Sequence, residues 1–116
     1  MEFISGNIFI RKAFEASDTL AGRVLDGHKH NFDHTSFVWR GAVRVRATLP
    51  DGTRVEREFH APSHFLVRAD VLHEITALED GTEFWCVYAH RDPQGEVVQI
   101  ATGWPEAYSL SREPRK

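Results

Sequence analysis

A period of two runs through this chain. Short stretches rich in Val, Ile, Phe, Thr and Trp alternate with polar residues and are broken by Gly, Pro, Asp and Asn. Successive side chains on a strand point to opposite faces, so each stretch has one face to bury and one to leave in water. Few windows keep an i, i+3, i+4 apolar pattern for three turns, so helices have little support. The pattern predicts strands over 7–13, 20–25, 34–39, 42–49, 53–60, 64–67, 72–77, 82–90 and 96–101. Segment 104–110 reads either as extended chain or as a short helical turn opened by Pro105. Many short strands at close spacing predict an all-β sandwich or barrel. No repeat, low-complexity tract or linker divides residues 1–116, which predicts a single domain.

One hairpin can be read residue by residue. The runs AVRVRATL and TRVEREF flank Pro50-Asp51-Gly52, a turn sequence whose glycine accepts positive φ. A three-residue loop pairs Leu49 with Thr53, which sets Arg46 opposite Glu56 and Arg44 opposite Glu58. Val43, Val45, Ala47 and Leu49 then share the other face. A two-residue Asp51-Gly52 turn would slip the register and set Val45 against Glu58. Cross-strand charge pairing favours the first register. The arginines therefore read as a charge-paired, solvated face rather than an anion site.

Composition narrows the function. Hydrophobic residues at 41% and charged residues at 27% allow a packed core. The net charge of −3 argues against a basic nucleic-acid surface. Cys86 is the lone cysteine, so neither an intrachain disulfide nor a cysteine zinc ribbon can form. No apolar run approaches the ~20 residues of a membrane-spanning helix, and MEFISGNIFIRK lacks the pattern of a secretory signal. A cytoplasmic protein is the expectation. What stands out is histidine: seven in all, with His28, His30 and His34 close together. On a strand, His28 and His30 share a face. Asn31-Phe32-Asp33 reads as a bend that returns His34 at the start of the next strand. Imidazoles converging from a rigid sheet suit a first-row transition metal.

These residues resemble the first motif of the cupin superfamily, G-x5-H-x-H-x3,4-E-x6-G. Here it reads Gly22, His28, His30, His34 and Gly41 with every spacing kept, and His34 stands where the common pattern has Glu. That substitution resembles small cupins with four histidines. The second motif, roughly P-x-G-x2-H-x3-N, is met only by His73; Arg68, Asp70 and Ala77 replace its Pro, Gly and Asn. The likeness covers about residues 18–90. It implies a cupin β-barrel, a double-stranded β-helix or jelly roll, with His28, His30, His34 and His73 holding a divalent transition metal: Mn, Fe, Ni, Co, Cu or Zn. Four neutral ligands leave the ion its full charge, and an octahedron would keep two positions open for substrate or dioxygen.

Alternation nominates the surroundings. If Glu83 faces water, then Phe84, Cys86 and Tyr88 face inward. Ser36 and Val38 share the inward face of His34, and Phe32 sits in the bend between ligands. These six residues are expected to line the pocket or pack in the core beside it. Cys86 has no charged activator next to it, which argues against a nucleophile. His60 and His64 flank Ala61-Pro62-Ser63 and read as loop residues; His90 reads as an exposed strand end. His73-Glu74 begins like H-E-x-x-H, but Ala77 ends that reading. Three functions stay open: a metal-dependent oxygenase on a small organic substrate, an isomerase or epimerase using Tyr88 for proton transfer, and a non-catalytic small-ligand module. Apolar residues near both ends (Phe3, Ile4, Ile8, Phe9 and Ile10; Val97, Val98, Ile100 and Trp104) and the family likeness predict a homodimer.

Overall fold

The computed structural model describes residues 1–5, 7–30, 32–89, 91, 94 and 96. All but the first residue of the predicted strand over 96–101, and the segment 104–110, lie outside the described residues. The described chain is all-β: β1 (Glu2–Ser5), β2 (Ile8–Phe14), β3 (Val24–His28), β4 (His34–Arg40), β5 (Ala42–Thr48), β6 (Arg54–His60), β7 (Ser63–Val67), β8 (Leu72–Ala77) and β9 (Glu83–Ala89). They form two antiparallel sheets, β1-β2-β9-β4-β7 and β3-β8-β5-β6. This is the jelly-roll arrangement implied by the motif.

The hairpin of β5 and β6 adopts the predicted register, with Arg44 opposite Glu58 and Arg46 opposite Glu56. The Leu49 amide donates to the Thr53 carbonyl at 2.8 Å, and the Gly52 amide donates to the Leu49 carbonyl at 2.9 Å. Gly52 has φ +89°, the left-handed residue that closes a three-residue hairpin loop. The ion pairs form on the outer face, at 2.6 Å for Arg46–Glu56 and 3.4 Å for Arg44–Glu58.

The opposite faces of the strands build the core. Phe14, Val38, Val43, Val45, Ile75, Ala77, Phe84 and Cys86 form one buried cluster between the sheets. Phe59 of β6 stacks on Phe65 of β7, ring centroids 4.2 Å apart, and joins the edges of the two sheets.

Three elements depart from the sequence reading. β1 was not expected; it pairs with β2 in antiparallel register, with Phe3 opposite Ile10. The strand predicted over 20–25 begins only at Val24, because Leu20 to Arg23 form a turn in which the Arg23 amide donates to the Leu20 carbonyl at 3.1 Å. His60 and His64 are strand residues of β6 and β7, both exposed.

Candidate metal centre

Two sheets deliver one histidine each to the same end of the sandwich. His34 opens β4, and alternation turns it, with Ser36 and Val38, toward the interior; all three are buried. His73 lies on β8 with Ile75 and Ala77 on the same inward face, and it is 2% exposed. His30 comes from the connection between β3 and β4. It lies beyond the end of β3, so it reaches the site from a loop and not from a strand face shared with His28. The ring centroids stand 5.1 Å apart for His30–His34, 5.3 Å for His34–His73 and 5.9 Å for His30–His73. One ring nitrogen from each lies within 4.8 Å of the others, so the three can hold one metal ion. Of residue 28 the structure describes the backbone, which stands opposite His73 in the β3–β8 ladder after a register shift.

The donor set fits a transition metal. His73 Nδ1 lies 2.9 Å from the Val71 carbonyl. A carbonyl only accepts, so this contact puts the proton on Nδ1 and leaves Nε2 as the lone-pair nitrogen. Orientation of a ligating imidazole by a backbone carbonyl is the usual supporting interaction at such sites. No carboxylate belongs to the cluster among the described residues, so three neutral imidazoles would leave the charge of a divalent ion uncancelled.

Around the histidines sit two of the predicted pocket residues. Phe32 stacks on His30 at 4.9 Å, and Tyr88 lies 5.8 Å from His30 and 6.1 Å from His34. Phe32 and Tyr88 also contact each other at 4.7 Å. Phe9, which the sequence nominated only for the homodimer, backs Tyr88 at 5.0 Å because the pairing of β2 with β9 sets them opposite each other. Burial, reinforced by the Glu2 carboxylate, pushes the Tyr88 phenol above its ordinary range, so it is protonated at neutral pH. The other four candidates lie deeper. Val38 and Phe84 are fully buried in the core, and the Ser36 hydroxyl donates to Cys86 Sγ at 3.8 Å. Burial pushes the Cys86 thiol up to about 11, which makes it a poor nucleophile at neutral pH.

Two hollows reach His73. The larger, about 470 Å³, runs along the end of the β3-β8-β5-β6 sheet, where Arg46 is paired with Glu56 and Glu74. The smaller, about 250 Å³, lies between the sheets where β6 faces β7, and its walls include Val45, Phe59, Phe65, Arg57 and Arg68. Arg57 was missed from sequence. The signal was there: Val55, Arg57 and Phe59 alternate on the strand face that the hairpin register sets against Val45.

No family model matches the chain, and no curated protein matches it. Solved structures do match. An oxalate decarboxylase from Bacillus subtilis with Mn(II) centres superposes with a TM-score of 0.60 over 86% of this chain, at 17% identity. An oxalate decarboxylase from Lactobacillus farciminis in a formate complex gives 0.59 over 78%, at 22% identity. KdgF from Halomonas sp. gives 0.54 over 78% of this chain and 87% of its own, at 19% identity. This chain spans 30% of the length of each of those oxalate decarboxylases. The likeness shows the fold these proteins share, a jelly roll, and in this chain that fold carries a group of imidazoles that can take a metal.

Proposed function

We propose that residues 1–116 form one metal-dependent cupin domain, most simply an oxygenase acting on a small organic substrate. The observation that carries this reading is the convergence of His30, His34 and His73 nitrogens within 4.8 Å beside an open cavity. His28 completes the set as fourth ligand; its place opposite His73 in the ladder and its spacing in the motif support it. A bound divalent ion would supply Lewis acidity and open positions for substrate and dioxygen. The chain's own part is to keep that ion highly charged, to exclude bulk water with Phe32 and Phe9, and to place the Tyr88 phenol nearby as a hydrogen-bond donor. We place the protein in the cytoplasm as a homodimer.

A second reading, an isomerase or epimerase, is favoured by Tyr88 alone, a protonated phenol within reach of the histidines. Oxygen consumption separates the two. Protein loaded with Fe(II), Mn(II), Co(II), Ni(II), Cu(II) or Zn(II) is offered a panel of small organic acids and sugars in an oxygen electrode. Uptake that needs both metal and substrate supports the oxygenase. Substrate conversion without uptake supports the isomerase, and conversion of nothing on the panel by any loaded form favours a binding module.

A further inference from the structure

An arginine on an apolar strand face needs an explanation. On β6, Val55, Arg57 and Phe59 share the face turned toward the other sheet, with Arg57 itself exposed at the rim of the cavity, while Arg54, Glu56 and Glu58 face out. Arg57 stands opposite Val45, a core residue only 8% exposed. The outward arginines of β5 have carboxylate partners at 2.6–3.7 Å. Arg57 has no ion pair or hydrogen bond among the described residues. The cavity it lines also holds Arg68 and, at its far side, His73; no carboxylate lines it. A cavity whose charged groups are all cationic selects an anion.

We propose that Arg57 recognises the carboxylate of the substrate, so that the cavity takes a small organic acid with one end at the histidines and the anionic end on the guanidinium. The proposal rests on the metal-centre reading for the first end only. In the sheet, His73 and Arg57 are separated by two strand spacings and one inward step. With spacings of ~4.8 Å and a rise of ~3.4 Å per residue, their Cα atoms lie roughly 12 Å apart. The side chains point into the same cavity from there and leave between them the length of a short-chain acid. The volume of about 250 Å³ is below the ~300–1,000 Å³ of pockets for drug-sized ligands. A guanidinium holds a carboxylate through two parallel hydrogen bonds, which a point charge cannot copy. The competing role is structural: β6 is a sheet edge, and an inward charge on an edge strand blocks unwanted strand pairing.

Calorimetric titration of metal-loaded protein with butyrate, succinate, glutarate and adipate, each against its amide, decides between these. The expected result is that at least one acid binds and its amide does not compete. Arg57→Gln should then weaken that acid roughly ten- to hundredfold, and Arg57→Lys should recover only part of the loss, with metal content unchanged in both. Equal binding of acid and amide, undiminished affinity in Arg57→Gln, or no binding of any of the four acids overturns the proposal. Aggregation of Arg57→Gln with unchanged acid affinity identifies an edge guard and overturns it too. If wild-type protein takes up no metal yet binds the acid through Arg57, the metal-centre reading fails and this one stands.

Discussion

At the scale of single residues, charge decides what the centre can bind. The position of His34 is the one at which this chain carries an imidazole in place of the motif's usual carboxylate. Its ring is 3% exposed and faces His30 and His73. Replacing it with Glu brings a negative charge close to any bound ion. At ~4 Å and an effective dielectric of ~20, one unit of charge is worth about 4 kcal/mol. His34→Glu should therefore still bind metal but hold azide at least about tenfold less tightly, a difference of ~1.4 kcal/mol that titration followed by ligand-to-metal absorption would read. Equal azide affinity would place His34 outside the ligand set. Cys86 gives a second residue-scale expectation. Its folded-state value is raised to about 11 by burial. The unfolded thiol ionises near ~8.5, so between those values the unfolded chain binds fewer protons than the native one. Stability is then full below pH ~8.5 and falls by about 2–3 kcal/mol as pH rises toward 11. Denaturant midpoints of Cys86→Ala should lack that component of the alkaline decline.

At the scale of elements, two glycines separate backbone strain from steric fit. Both have positive φ, +89° at Gly52 and +73° at Gly41. A Cβ at Gly52 would meet nothing within 4 Å. At Gly41 it would run into the side chain of Thr82, with the Thr82 Cα at 3.1 Å. Thr82 cannot yield easily, because it is fully buried and its hydroxyl donates to the Glu79 carbonyl at 2.7 Å. Gly52→Ala should cost about 1–2 kcal/mol for the left-handed backbone. Gly41→Ala should cost that plus about 1–3 kcal/mol of overpacking, and chemical denaturation of the two variants measures the difference. Equal costs would mean that the close approach to Thr82 is not tight. The elements also show what sequence can and cannot reveal. The β5–β6 register was legible because Arg44, Arg46, Glu56 and Glu58 match across it and its alternative does not. β3 was not, because Asp26-Gly27 breaks the alternation and reads as a turn, while Leu20, a turn residue 67% exposed, reads as strand. Spacing grouped His30 with His28 and His34 but could not show that it lies past the end of β3, in a loop that brings it beside His34. Arg57 was legible in the same register, which sets it opposite Val45, but reading all the arginines of this hairpin as its solvated face hid it.

At the scale of the whole molecule, the sheet that carries His34 has an apolar outer face. Phe37 stacks on Trp39 at 5.1 Å, and Trp39 meets Trp85 at 5.5 Å. Trp39 is 46% exposed and Leu66 on the neighbouring strand 54%. Clustered aromatic residues on an open sheet face would suit a protein interface, and a second copy of the chain is the partner our proposed homodimer requires. The terminal residues 97–104, which the sequence also nominated for this role, lie outside the described residues, although β1 and its neighbour β2 lie within them. Light scattering at micromolar concentration should give twice the mass of 13.3 kDa, and Trp39→Glu should shift it toward the monomer. A monomeric wild-type protein contradicts the dimer.

The central claim is that His30, His34 and His73 hold one divalent metal ion. It is tested most directly by metal-to-protein stoichiometry, measured by elemental analysis after loading with Mn(II) or Zn(II) and dialysis. Wild-type protein should retain about one ion per chain, and His30→Ala,His73→Ala protein with an intact β-sheet circular dichroism spectrum should retain almost none. The same stoichiometry in both proteins, or none in the wild type, would contradict the claim.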